Sequence, residues 1–159
     1  MPTVTVIIPS LNQGQYIGEA LDSLFAQTFR DYEVSVVDGG STDGTETVVR
    51  RYRNKIQFFR QDGKGVSRAK NQALERARGK LIAFLDADDA WYPDKLAKQV
   101  ALLETHPEYG FCSSDVDFFD ATGIIIKGAI AAEKKPRSGM VFDDLLVNNF
   151  ISSATVMLL

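Results

Sequence analysis

An α/β fold with a mostly parallel, doubly wound sheet is the architecture this sequence predicts. Three observations carry the prediction. Short apolar runs rich in β-branched residues recur at 4–9, 34–38 and 81–84, the pattern of strands buried on both faces. Segments with apolar residues at helical spacing separate them, so strand and helix alternate through residue 103; such alternation makes neighbouring strands parallel. Each run also ends in a turn rich in Pro, Gly, Ser or Asp, residues that stop a strand and start a turn.

Val4, Val6, Ile7 and Ile8 form the first strand, and Pro9 is expected to close it because proline cannot donate to a ladder. The loop 10–14 leads to a helix over 15–27 whose apolar face carries Ile17, Ala20, Leu21, Leu24 and Phe25. Val34, Val36 and Val37 make the second strand, which runs through Asp38 into Gly39 and Gly40, a turn able to bring backbone close to a ligand. Ser41, Thr42 and Asp43 supply caps for a helix bearing Val48, Val49 and Tyr52, and Asp43 with Glu46 has capping-box spacing. A shorter third strand is expected at 56–59. After the loop 61–65, Val66, Ala69, Ala73, Leu74 and Ala77 mark a helix that ends at Gly79 as its C′ residue, with Arg68 and Lys70 in its first turns. The run 81–84 is the next buried strand. Pro93 suits the first turn of a helix through Leu96, Val100 and Leu103, which stops near His106 and Pro107. The remainder reads as a small β-rich part: a strand at 111–119, a turn at 120–123, a strand at 124–126, a loop at 127–139, a short helix at 140–148 and a strand at 151–159. Lys134, Lys135 and Arg137 in that loop read as a solvated face.

The most informative stretch follows the run 81–84. Asp86 and Asp88 stand two apart, so on an extended backbone both carboxylates project to the same side, at the strand end where open α/β sheets bind ligands. Paired carboxylates without His or Cys suit Mg²⁺ or Mn²⁺ better than Zn²⁺, and such metals commonly hold phosphates. Singly, each motif has a plain structural explanation: residues 86–89 as turn and helix cap, 39–44 as a strand-helix turn, 62–68 as a solvated loop. Trp91 and Tyr92 read as packing residues after the acidic turn. The convergence of three strand ends, at Pro9-Ser10, Asp38-Gly39 and Asp86-Asp88, is what points to a site.

With 159 residues, one domain with a real core is expected. A net charge of −3 argues against nucleic-acid binding. The single cysteine, Cys112, lies in apolar context and reads as a buried free thiol. A cytoplasmic setting is expected, with peripheral contact to the inner membrane face left open.

Taken together in this order, Val6-Ile7-Ile8-Pro9-Ser10-Leu11-Asn12, the stretch from Val36 to Thr45, Gly63-Lys64-Gly65-Val66-Ser67-Arg68-Ala69-Lys70-Asn71 and Phe84-Leu85-Asp86-Ala87-Asp88-Asp89 resemble family 2 glycosyltransferases with the GT-A fold. The resemblance implies sugar transfer from a nucleotide diphosphate sugar to an acceptor hydroxyl, of polysaccharide or glycolipid biosynthesis type, with inversion and with Mg²⁺ or Mn²⁺. It puts the base and ribose against Pro9, Ser10, Leu11, Asp38 and Gly39. Arg68 would lie beside the base or diphosphate, Asp86 and Ala87 near the ribose or sugar, and Asp88 on the metal. The sequence departs from many relatives at two points: Leu11 replaces an aromatic that stacks on the base, and Gly39 replaces a second acidic residue that reads it.

The resemblance also implies a single, incomplete domain, with residues 1–103 binding the nucleotide sugar and 104–159 beginning the acceptor part. The acidic general base is expected beyond Leu159, so no catalytic residue is assigned. A non-catalytic nucleotide-binding module is the alternative reading. A nucleotidyltransferase fits less well, because residues 9–14 carry no positive charge. The acceptor is left open among a sugar, a lipid-linked sugar and a protein, and a homo-oligomer formed through exposed apolar surface is also envisaged.

Overall fold

Seven consecutive buried residues, Val4–Ser10, form β1, the strand from which the sheet is laid out. The computed structural model describes residues 1–119 and 137–159, together with the backbone of residues 125–126. On one side β1 pairs in parallel with β2 (Tyr32–Asp38), and β2 with β3 (Gln57–Arg60); on the other, β1 pairs in parallel with β4 (Leu81–Phe84). Two short strands extend the sheet beyond β4. These are β5 (Phe111–Cys112) and β8 (Met157–Leu158), and β8 lies between β4 and β5, antiparallel to both. The described order is β3-β2-β1-β4-β8-β5. Beside it, β6 (Phe118–Phe119) and β7 (Ile125–Ile126) form a separate antiparallel ribbon. The mostly parallel α/β architecture is therefore the one expected.

The period-two alternation of β1 sorts its side chains onto two cores. Val4, Val6 and Ile8 face α1 (Ile17–Phe25), α2 (Thr45–Val49) and α4 (Lys95–Thr105), where Ile17, Leu21, Leu24, Val49, Leu96 and Val100 are buried. Ile7 faces the other side, packing with Val37 and Ile82 under Ala69 and Ala73 of α3 (Val66–Leu74). A short α5 (Phe142–Val147) completes the described helices.

Several element boundaries differ from expectation, each for a local reason. Pro9 does not end β1, which continues to Ser10 in register with Asp38. Ile7 O accepts from Leu85 N, so every second residue of β1 turns its amide toward β4. Pro9 shares that parity, and β4 has already ended there, so no ladder bond is lost. The helix over 15–27 is the shorter α1; Gln27 is instead fully buried, its side chain bonding Tyr92 O at 2.8 Å and Leu96 N at 3.0 Å. The expected Asp43–Glu46 capping box does not form. Asp43 Oδ1 accepts from Thr45 N, two residues on, while Glu46 pairs with Arg50 and Arg60. Helix α2 passes into a 3-10 turn at Arg50–Tyr52.

The third strand is shifted one residue, to Gln57–Arg60. Gly79 is not a C′ residue, because α3 ends at Leu74; a Cβ at 79 would sit 2.3 Å from Thr5 N, so close chain approach is what requires glycine there. The strand expected at 111–119 is interrupted at 113–117, where every residue but Val116 is Ser or Asp, leaving β5 and β6. Likewise the strand at 151–159 is a 3-10 turn, Ser153–Thr155, followed by β8, because Ser152 O accepts from both Thr155 N and Thr155 Oγ1. The helix expected at 140–148 is α5. The turn at 120–123 and most of the loop 127–139, with Lys134 and Lys135, lie outside the described residues. Cys112 is a free, buried thiol, as expected.

Candidate functional site

Parallel register brings the ends of β1, β2 and β4 to one edge of the sheet, and there the chain makes a cavity of about 260 Å³. Pro9, Ser10 and Leu11 form one wall, Asp86, Ala87 and Asp88 a second, and Gly65, Val66 and Ala69 at the start of α3 a third, with Gln13 and Gln61 between them. Leu85 N donates to Ile7 O at 3.0 Å, so the chain stays extended past β4. Leu85 and Ala87 are consequently buried while Asp86 is half-buried and Asp88 exposed. This is the same-side pairing of Asp86 and Asp88 that their spacing predicts.

The wall at Leu11 is held by a web of hydrogen bonds between two loops. Asn12 N donates to Ser41 Oγ (2.9 Å), Thr42 N to Asn12 Oδ1 (2.9 Å), Gln13 N to Thr45 Oγ1 (3.0 Å) and Gly14 N to Asp43 Oδ2 (2.9 Å). Asn12 adopts φ 54°, a left-handed conformation that Asn tolerates better than most residues. Hydrogen bonds from Thr45 and Gly14 hold the Asp43 carboxyl below its usual pKa. Asp38 belongs to the same web. It is 1% exposed, and its carboxylate accepts from Gly40 N and Ser41 N at 3.1 Å each and from Ser41 Oγ. Its oxygens therefore serve the turn, and Asp38 does not line the cavity. Gly39 N donates to Ser10 O at 2.8 Å, tying the two strand ends together. Ser10 Oγ is buried at the cavity wall without a hydrogen-bond partner among the described residues.

Arg68 does not line the cavity either. It turns away onto the loop before α3, with Nη2 3.0 Å from Asp62 Oδ2 and Nε donating to Asp62 O. The basic residue that reaches the acidic turn is Lys70, whose Nζ donates to Ser153 Oγ at 2.6 Å, lies 3.8 Å from Asp86 Oδ1 and sits 4.9 Å from the centre of the Phe84 ring. Helical phase could have found it. Positions 66, 69, 70 and 73 share one face of α3, and position 68 does not.

Asp88 and Asp86 offer hard oxygen donors side by side in one cavity. Among the described residues no cluster of three or more His, Cys, Asp or Glu forms a closed metal cage. That donor set fits Mg²⁺ or Mn²⁺, which bind through one or two carboxylates and take their other ligands from water and phosphate; it does not fit a structural Zn²⁺ site.

A second cavity of about 510 Å³ lies behind the acidic turn. Asp89 lines it, with Trp91, Tyr92, Lys95, Asp115 and Phe118 among its other walls. Residues 86–89 are thus a partition between two compartments. The Asp89 carboxyl is raised above its usual pKa, first by desolvation and then by the charges of Asp86 and Asp88. Trp91 is buried as a packing residue, its Nε1 donating to Ala154 O at 2.9 Å, whereas Tyr92 is exposed and donates to Asp117 at 2.8 Å.

The sequence model described as glycosyl transferase family 2 matches residues 5–157. TuaG of Bacillus subtilis, which carries the name of a teichuronic acid biosynthesis glycosyltransferase, is 35% identical over 162 aligned residues, covering 99% of this chain and 62% of TuaG. S. aureus TarS 1–349 in complex with UDP superposes with a TM-score of 0.74 at 27% identity, covering 97% of this chain and 46% of that one. The mannosyltransferase PcManGT of Pyrobaculum calidifontis, in complex with GDP-Man and Mn²⁺, superposes with a TM-score of 0.64 at 36% identity, over 70% of this chain and 35% of that one. The chain spans less than two thirds of the length of each of these relatives.

Proposed function

This chain belongs to glycosyl transferase family 2, and on that premise we propose that it binds a nucleoside diphosphate sugar in the cavity at the strand ends and serves transfer of the sugar to an acceptor hydroxyl. The observation that carries the reading is the convergence of Pro9, Ser10 and Leu11 with Asp86, Ala87 and Asp88 around one cavity. The complexes of TarS with UDP and of PcManGT with GDP-Man and Mn²⁺ support it.

In this reading Pro9, Ser10, Leu11 and Gly39 flank the nucleoside, and Asp38 acts by holding the turn that presents them. Asp86 and Ala87 face the ribose or sugar, and Asp88 holds Mg²⁺ or Mn²⁺. The metal, when bound, neutralises charge on the departing diphosphate as a Lewis acid. Lys70 keeps Asp86 in position and ties it to Ser153. Arg68 would have to leave Asp62 to reach a diphosphate; that ion pair is exposed on both sides, and such pairs hold weakly. The acceptor enters the second cavity, which shares the acidic partition with the donor cavity. Direct displacement with inversion needs nucleophile and leaving group on opposite sides of the reacting carbon, and separate compartments suit that need. Residues 1–103 then form the donor part and 104–159 the start of the acceptor part. The name of TuaG supports an acceptor of polysaccharide type.

The reading is tested by titration calorimetry with UDP, GDP and dTDP, with and without Mn²⁺. Binding is expected to require metal. Asp88→Ala is expected to weaken it roughly tenfold or more, since even partners one shell removed from a metal cost about 10- to 100-fold. Undiminished binding by Asp88→Ala removes the metal assignment, and failure of every nucleotide to bind removes the donor site.

A further inference from the structure

Lys95 opens α4 and lines the 510 Å³ cavity while being only 9% exposed. Its Nζ is 2.6 Å from Gln99 Oε1 and 4.0 Å from the centre of the Trp91 ring. Both neighbours are fixed from the 3-10 turn Ser153–Thr155: Trp91 Nε1 donates to Ala154 O at 2.9 Å and Gln99 Nε2 to Thr155 O at 2.8 Å. Since a backbone carbonyl only accepts, the Gln99 amide must turn its NH₂ to Thr155 and its oxygen to Lys95. One neighbour therefore offers an acceptor and the other an electron-rich ring face, and both suit an ammonium ion. What the amine lacks is a counter-ion: among the described residues no carboxylate pairs with it.

The carboxylates that line the same cavity are engaged elsewhere. On α4 and just before it, Asp94 pairs with Lys98 at 2.5 Å; beyond β5, Asp117 accepts from Tyr92 Oη at 2.8 Å and Asp115 Oδ1 from Val116 N at 2.9 Å; at the acidic turn, Asp89 feels the charges of Asp86 and Asp88. On β5, Cys112 is the one group whose charge acts on the amine, and burial raises its pKa, so it stays an uncharged thiol. Desolvation accordingly lowers the Lys95 pKa to about 7. Burying a charge without a counter-charge is costly, and a cavity wall that orients two groups toward a cation but supplies no anion is complementary to an anion carried in by a ligand. Tyr92, Phe118 and Phe119, exposed and lining this cavity, add apolar surface on which a ring can lie. We propose that Lys95 determines acceptor specificity, selecting a saccharide that bears an anionic group, carboxylate or phosphate, whose oxygen accepts a hydrogen bond from Nζ. The proposal rests on the reading that the acceptor enters the second cavity, and goes beyond it by naming the charge the acceptor carries.

The experiment compares glucose, glucuronate and a glucose monophosphate by calorimetry on this chain, without divalent metal so that the acidic turn does not hold the phosphate. At about pH 6.5 the wild type is expected to bind at least one anionic sugar about tenfold more tightly than glucose, the scale of one hydrogen bond to a charged group. A preference for glucuronate alone assigns a carboxylate and a preference for the phosphate alone a phosphate ester; either supports the proposal. At about pH 8 the free amine is mostly neutral, so binding the anion must draw a proton onto it. Titrations in two buffers of different ionisation enthalpy should show that uptake with the preferred anionic sugar and none with glucose. Lys95→Met is expected to cut the preference to about twofold or less and to abolish the uptake. Lys98→Met, which removes an amine already paired with Asp94, should retain both. If Lys95→Met does not fold, the proton uptake of the wild type decides. Equal binding of all three sugars, a preference that survives Lys95→Met, or anion binding at about pH 8 without proton uptake overturns the assignment of Lys95. Failure of every sugar to bind instead overturns the placement of the acceptor in this cavity, so the two failures are distinguishable.

Discussion

Lys95 carries an amine into a nearly closed part of the protein: it is 9% exposed, 4.0 Å from the centre of the Trp91 ring and 2.6 Å from Gln99 Oε1. Desolvation lowers its pKa from 10.5 to about 7. Below about pH 7 the amine is protonated in the folded and unfolded chains alike, and the cost of burying its charge is borne in full. Between about 7 and 10.5 the unfolded chain still holds a proton that the folded chain has lost, so stability rises with pH across that window. Comparison of urea midpoints at about pH 6.5 and 9.5 should show this rise in the wild type and a smaller one in Lys95→Met, which removes the titrating group. Parallel pH profiles for the two proteins would mean that Lys95 does not titrate as described. At this scale the sequence was informative wherever backbone geometry alone sets direction. The two-residue spacing of Asp86 and Asp88 is such a case. It was uninformative where a long side chain chooses among neighbours: Arg68 went to Asp62, and Lys70 to Ser153 and Asp86.

Elements repeat the lesson through their ends. Apolar periodicity located α1 through α4, but α2 passes into a 3-10 turn before Tyr52, and α3 ends at Leu74, short of Ala77, where the chain closes in local turns. Gln27, just past the end of α1, donates to Leu24 O and Ser23 O of its own helix and also bonds to Tyr92 O and Leu96 N across the fold. The connection from α3 to β4 offers a direct test. Gly79 N donates to Thr5 Oγ1 at 2.8 Å, and a methyl group there would meet backbone atoms of Val4 and Thr5 at 2.3 to 2.6 Å. Gly79→Ala is therefore expected to destabilise the fold by about 1–3 kcal/mol or more, the scale of overpacking, measured by chemical denaturation. A neutral result would show that β1 and the α3–β4 connection can separate freely. The penalty is steric rather than conformational, since φ at Gly79 is not in the left-handed range where glycine is favoured.

Across the whole molecule, the part joined by parallel β-α-β units and the part joined by longer connections meet at β8. Met157 is fully buried and pairs with Ala83 of β4 on one side and Cys112 of β5 on the other. The preceding 3-10 turn is bound to Trp91 through Ala154 O, to Gln99 through Thr155 O and to Lys70 through Ser153 Oγ. The last residues of the chain thus hold both cavities to the sheet. Met157→Ala is expected to cost about 2–5 kcal/mol, as buried large-to-small substitutions do, with a lowered urea midpoint as the readout. A loss under about 0.5 kcal/mol would show that β8 is not integral to the core. No helix among the described residues is long and apolar enough to cross a membrane.

The sequence by itself determined the order and type of the elements through residue 103, the parallel sheet, and the edge at which Pro9, Asp38 and Asp86 would converge. Those features follow from residue periodicity and from the handedness of β-α-β connections, which are local rules. The tertiary structure alone decided that β8 enters between β4 and β5, that Asp38 spends its carboxylate on its own turn, and that Lys70 rather than Arg68 meets Asp86. Each of those is a pairing between groups distant along the chain or a choice among competing partners, and such choices are settled by packing and hydrogen bonding that no short stretch of sequence contains.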